Sequence, residues 1–162
     1  DDWVFGEEAT LSLYTPPSKG SSFDAETVLA RMKKRFDEYL THLDFSQGDY
    51  TFFFPPYSAL YWNYAFGAGN GETYLEFKAY AERMLLGYEN VRIFDFQNAP
   101  FVTDLNNYKD YTHYAPEIND RMLGCFASGE YLVTEAASTE NLLGATQAQV
   151  AQLLERYPEI PE

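Results

Sequence analysis

The residues of this chain best suited to chemistry stand together in "NNYKDYTHYAPEIND", residues 106–120, where Asp110 precedes His113 by three positions. An imidazole titrates near neutrality and serves as a general base. An aspartate beside it can accept a bond from the ring nitrogen not in use, fixing the tautomer and stabilising the imidazolium. A separation of three residues on a turn lets the two side chains meet without long-range folding. The same letters also describe a polar turn ahead of a helix, with Pro116 placed for the first helical position. Spacing alone leaves both readings open.

Other chemistries find less support. A catalytic zinc takes three protein ligands, and His42 is the only further histidine, at the end of a predicted helix where an imidazole favours the dipole or faces solvent. Neither a metal nor another cofactor is therefore expected. Cys125 is the single cysteine, so no internal disulfide and no cysteine-based zinc site can form, and it reads as a small core residue. No serine stands in a Gly-x-Ser-x-Gly elbow. Ser58, at the end of a predicted strand, is either a polar group of a site or a hydroxyl that caps a turn. Tyr57, Tyr61, Trp62 and Tyr64 follow as an aromatic cluster, whose rings either bind a sugar face or pack the core. Tyr57, Ser58 and Trp62 are the candidate substrate-binding residues.

These side chains need elements to position them. The 162 residues form one ordinary domain or a large piece of a bigger one, and 46% hydrophobic with 18% aromatic content supplies ample core. "FDAETVLARMKKRFDEYLTHLD" repeats Val28, Leu29, Met32, Phe36, Tyr39, Leu40 and Leu43 at helical spacing. "DYTFFFPPYS" reads as a strand buried on both faces and stopped by Pro55-Pro56. A helix is predicted over 72–88, with Phe77, Ala81, Met84, Leu85 and Tyr88 as its stripe, then a strand at "NVRIFDF". A third helix over 116–127 presents Ile118, Met122, Leu123 and Phe126, and a weaker helix or pair of helices ends the chain. Alternating helices and strands imply an α/β domain with parallel strands. In such sheets, active residues sit on loops beyond the carboxyl ends of the strands. The loop after each strand, one carrying Ser58 and the other Asp110 and His113, meets that condition.

The expected organisation is an N-terminal segment and Pro/Gly/Ser linker over 1–22, an α/β body over 23–128, and a helical tail over 129–162. Two strands are too few for a covered parallel sheet. Either "ATLSLY", residues 9–14, adds a third, or, as we favour, the remaining strands come from outside this chain. An open edge on such a sheet is a place for a second copy to pair. A net charge of −14, from 11 basic against 25 acidic residues, disfavours nucleic acid and anionic lipid as partners. No apolar run is long enough to span a membrane.

"FFFPPYSALYW", "NVRIFDFQ" and "DLNNYKDYTHYAPEIND" together resemble the C-terminal half of SGNH/GDSL hydrolases. The nearest branch is bacterial cell-surface members similar to the D-alanyl-transfer proteins of teichoic acid synthesis and to polysaccharide O-acetyltransferases. The resemblance covers roughly 23–128. It implies a three-layer α/β/α sandwich with a parallel, flavodoxin-like sheet that lacks its N-terminal strands here. It also implies that His113 is the base of a catalytic triad and Asp110 its orienter, with Ser58 near the oxyanion site. The family's nucleophilic serine and its Gly-x-Asn-Asp block have no counterpart in this chain. The expectation that follows is a serine-dependent esterase or acyltransferase acting on an acylated cell-surface glycan or a small ester, outside the cytoplasm, with the nucleophile supplied from elsewhere. The alternative is a non-catalytic domain that binds a glycan or partner through the aromatic cluster.

Overall fold

A computed structural model describes residues 3–18 and 24–161. In order along the chain, α1 spans Glu7–Leu13, α2 Ala25–Leu40, β1 Tyr50–Phe54, α3 Ala59–Gly67, α4 Gly71–Leu85, β2 Val91–Asp95, α5 Pro116–Ser128 and α6 Thr139–Arg156. Short 3-10 turns at Phe96–Asn98, Pro100–Thr103 and Leu105–Asn107 carry the chain from β2 towards the Asp110–His113 loop.

β1 and β2 pair in parallel, from Tyr50 opposite Val91 to Phe54 opposite Asp95. The far edge of β2 is closed by an antiparallel return of the chain: Asp95 donates its N–H to Tyr131 (2.9 Å), and Val133 donates to Ile93 (2.8 Å). The far edge of β1 pairs with no other strand among the described residues. Side chains alternate across this small sheet. Val91 and Ile93 pack with Leu40 of α2 and Leu85 of α4, while Phe94 packs with Ile118, Met122 and Cys125 of α5. The architecture is thus α/β with a parallel sheet, as expected. Phe53 remains 45% exposed on the α5 side. Among the described residues no helix is long and apolar enough to cross a membrane.

The helix ends follow local rules. Asp24 caps α2 by accepting from Thr27 N–H (3.2 Å), and Ser138 caps α6 by accepting from Asn141 N–H (3.1 Å). Pro116 occupies the first turn of α5, and Gly129 ends it at φ 80°, a left-handed conformation that costs glycine little. Part of the 15–22 linker lies outside the described residues.

One alternative and one expectation give way. Residues 9–14 are not a strand: Glu7–Leu13 is a helix, with Glu7 and Glu8 in its first turn where the helix dipole favours carboxylates. Tertiary bonds hold it, since Thr10 is buried and its hydroxyl donates to Tyr108 O (2.9 Å), and Gly6 N–H donates to the same carbonyl (2.8 Å). The stretch after Pro55-Pro56 is not an open loop either. "ALYWNYAFG" is the helix α3, with Ala59, Leu60, Trp62 and Ala65 buried. A helix enclosed nearly all round has no polar stripe to announce it. The terminal segment forms a single helix, α6, whose Leu142 packs with Trp62 and Leu75, and whose Leu153 packs with Leu60.

Candidate active site

The loop that leaves β2 brings Asp110 and His113 into contact. His113 Nδ1 lies 2.7 Å from Asp110 Oδ2. The other carboxylate oxygen, Oδ1, accepts from the N–H of Thr112 (2.8 Å), the N–H of His113 (2.8 Å) and the Thr112 hydroxyl (3.1 Å). The carboxylate is therefore fixed by the turn itself. An ionised carboxylate only accepts, so the proton of a neutral His113 stands on Nδ1 and Nε2 carries the lone pair. Nε2 has no hydrogen-bond partner among the described residues. The imidazole is 57% exposed and the carboxylate 23%. Trp3 stands edge-on to the imidazole at 5.5 Å, and Lys109 Nζ sits 4.0 Å over the Trp3 ring. A hollow of about 890 Å³ adjoins this loop through Asn106 and Lys109, but neither Asp110 nor His113 lines it.

Burial pushes the Asp110 carboxyl up, yet the backbone N–H groups of Thr112 and His113 and the two side-chain bonds outweigh it and hold its pKa below the ordinary 3.8. A depressed carboxylate contributes stability that is fully present above the unfolded-state value and is lost as pH falls through the folded-state value. The difference in thermal midpoint between the wild type and Asp110→Asn should therefore be constant above about pH 5 and shrink on acidification towards pH 3. Calorimetry across that range checks it, and a pH-independent difference would contradict the bonding described.

The candidate substrate-binding residues divide. Ser58 is fully buried, and both its N–H (3.2 Å) and its hydroxyl (2.8 Å) donate to Tyr111 O. The same hydroxyl accepts from Tyr61 N–H (3.4 Å) as the cap of α3. Ser58 is thus corrected from a ligand-facing group to a hydroxyl that staples the end of β1 to the Asp110–His113 loop. Trp62 is also corrected as a stacking surface: it is only 3% exposed and packs with Ala65, Leu75, Ala79 and Leu142. Tyr57 keeps partial exposure, and its ring lies 4.8 Å from that of Tyr61. Tyr111, one residue beyond Asp110, stacks on Tyr64 at 5.6 Å. His42 lies beyond the end of α2, and among the described residues no three His, Cys, Asp or Glu side chains are placed to hold a metal ion.

A second constellation at the strand ends escapes sequence reasoning. Lys78 of α4 is 4% exposed, and its Nζ donates to Asp95 Oδ2 (2.7 Å) and Gln97 Oε1 (3.1 Å). Asp95 also accepts from Asn98 Nδ2 (2.6 Å) and Gln97 N–H (3.0 Å), so the carboxylate that ends β2 is held by three donors, Lys78 included, and caps the following turn through the Gln97 N–H. Glu82, one turn along α4, is buried and accepts from Ala137 N–H (3.0 Å). Burial pushes its carboxyl up, against the opposing effects of that N–H and Lys78. The buried face of α4 therefore runs Leu75, Lys78, Ala79, Glu82, while Met84 of the expected apolar stripe is 38% exposed. The only sequence signal was an aspartate closing an apolar strand, "RIFD". No family model, curated protein or solved structure matches the chain.

Proposed function

We propose that this chain contributes the base and its orienter to a serine-dependent esterase or acyltransferase acting on acyl groups of a cell-surface glycan outside the cytoplasm. The single observation that carries the reading is the 2.7 Å contact between His113 Nδ1 and a carboxylate already locked by its own turn, with the imidazole open to solvent. In the reaction, His113 Nε2 takes the proton of a serine hydroxyl as that oxygen attacks the acyl carbon. A tetrahedral intermediate forms, the bond to the leaving oxygen breaks, and the imidazolium returns its proton to that oxygen. Asp110 keeps the ring oriented and stabilises its positive charge without being protonated. Water or an acceptor hydroxyl then takes the acyl group by the same sequence. No hydroxyl among the described residues bonds Nε2, and the sequence holds no counterpart of the family's serine block, so the reading assigns the nucleophile to residues outside the 162.

The test uses the natural polypeptide that carries these residues. A fluorophosphonate should label one serine outside the 162, and p-nitrophenyl acetate should be turned over until that label is in place. If neither labelling nor turnover occurs, the catalytic reading fails.

A further inference from the structure

A cavity of about 320 Å³ opens beside the carboxyl ends of β1 and β2, and no residue of the Asp110–His113 loop lines it. That is the place in an open α/β sheet where ligands bind, and the volume lies at the small end of ligand clefts, which start near ~300 Å³. Its walls are apolar and mostly aromatic: Met32 of α2, Phe54 at the end of β1, Tyr57, Tyr61 of α3 and Phe77 of α4. The polar side chains lining it are Lys78 and Gln97, with the aromatic residues Tyr57, Tyr61, Tyr74 and Trp62 each carrying one polar group.

Tyrosine hydroxyls both donate and accept, whereas Lys78, the free Gln97 amide and the Trp62 indole only donate. Lys78 has three protons to give and finds acceptors for two, Asp95 and Gln97, while the Phe54 ring lies 5.0 Å from its Nζ. Because Gln97 must turn its oxygen to the ammonium, its amide nitrogen is left as a donor, and it has no acceptor among the described residues. Trp62, also in the wall, has a buried indole N–H without an acceptor. A buried donor without an acceptor is costly, so native proteins seldom leave one in a cavity wall without a use. The one nearby acceptor of strength, Asp95, does not line the cavity and is already occupied by its own donors.

Charge narrows the ligand further. The ammonium of Lys78 is offset by Asp95, with the Glu82 carboxylate one helical turn away. An anion entering here meets two carboxylates in a poorly solvated setting, and a cation meets Lys78. A hydrocarbon leaves the donors unpaired. We infer that the cavity is a binding site for a small neutral molecule, one flat ring in size, whose carbonyl oxygen accepts from Gln97 and Lys78 while the ring lies between Tyr57, Tyr61 and Phe77. This site does not depend on the hydrolytic reading of the Asp110–His113 loop.

An isosteric series of single-ring probes tests it on the full chain by calorimetric titration and ligand-observed NMR. Benzamide, neutral with a carbonyl, should bind saturably with a Kd on the order of 1 mM. Benzoate, benzylammonium and toluene should each bind about tenfold more weakly, and Gln97→Met should bring benzamide down to the level of toluene. The wild-type series stands by itself if Gln97→Met fails to fold. Absence of saturable benzamide binding, or equal binding of all four probes, overturns the assignment. His113→Ala should leave benzamide binding unchanged; ester turnover and ring binding can therefore fail separately.

Discussion

Replacing His113 by alanine should lower kcat/KM for a small acyl ester by about 10⁴- to 10⁶-fold in the natural polypeptide, the range found when the base of such a triad is removed. The folded state should barely notice. The imidazole is 57% exposed, and its recorded contacts are Asp110, Thr112 and the edge of Trp3. An exposed contact of this kind contributes about 0–1 kcal/mol even when it is an ion pair. The expected signature is therefore a collapse of turnover with a nearly unchanged urea midpoint. Asp110→Asn separates orientation from proton transfer. An amide at that position can present its N–H₂ to the ring and favour the wrong tautomer, which costs about 10⁴-fold in kcat in related geometry while the fold stays intact. Turnover that survives His113→Ala would show that the contact is a turn and no more, and the catalytic reading would fall with it.

The second large effect concerns stability. Lys78→Met should destabilise the chain by about 3–5 kcal/mol, because it leaves the Asp95 carboxylate buried without its ammonium. The two side chains are only 5% and 10% exposed, so water cannot make up the loss. Adding Asp95→Leu to Lys78→Met should recover part of that cost, since an apolar pair needs no solvation. The recovery stays incomplete: Asp95 also accepts from Gln97 N–H and Asn98, and both bonds are lost with it. Urea unfolding of the wild type, the single variant and the pair measures this cycle. A Lys78→Met chain within about 1 kcal/mol of the wild type would mean that the ion pair is solvated in solution.

What could be read from the letters was whatever depends on neighbours in the chain. The stripe of Met32, Phe36 and Leu40 needs only 3.6 residues per turn to define a face, and Asp24 caps the helix within one turn of itself. The strands were legible because "YTFFF" and "VRIFD" are short apolar runs with a clear stop or turn behind them. The contact between Asp110 and His113 belongs to the same class. Three residues of chain and two backbone N–H groups make the contact itself, although Ser58 holds the loop that carries it.

Tertiary structure decided the rest. α3 lacks a polar side because α4 and α6 enclose it, and that enclosure lies in no window of its own sequence. Ser58 and Trp62 had two readings each, and burial chose between them: a carbonyl 53 residues away claims the hydroxyl, and residues from α4 and α6 cover the indole. Lys78 and Asp95 are 17 residues apart and meet only because α4 lies along the sheet and turns its Lys78 face to the end of β2. A lysine on an amphipathic helix ordinarily marks the solvated side. Here a carboxylate at the strand end reverses that rule, since a charge enters the interior when its partner is already fixed there. Local geometry thus set α2, both strands and the dyad, whereas α3 and the choice of which polar groups lie inside were settled by packing between residues far apart in the chain.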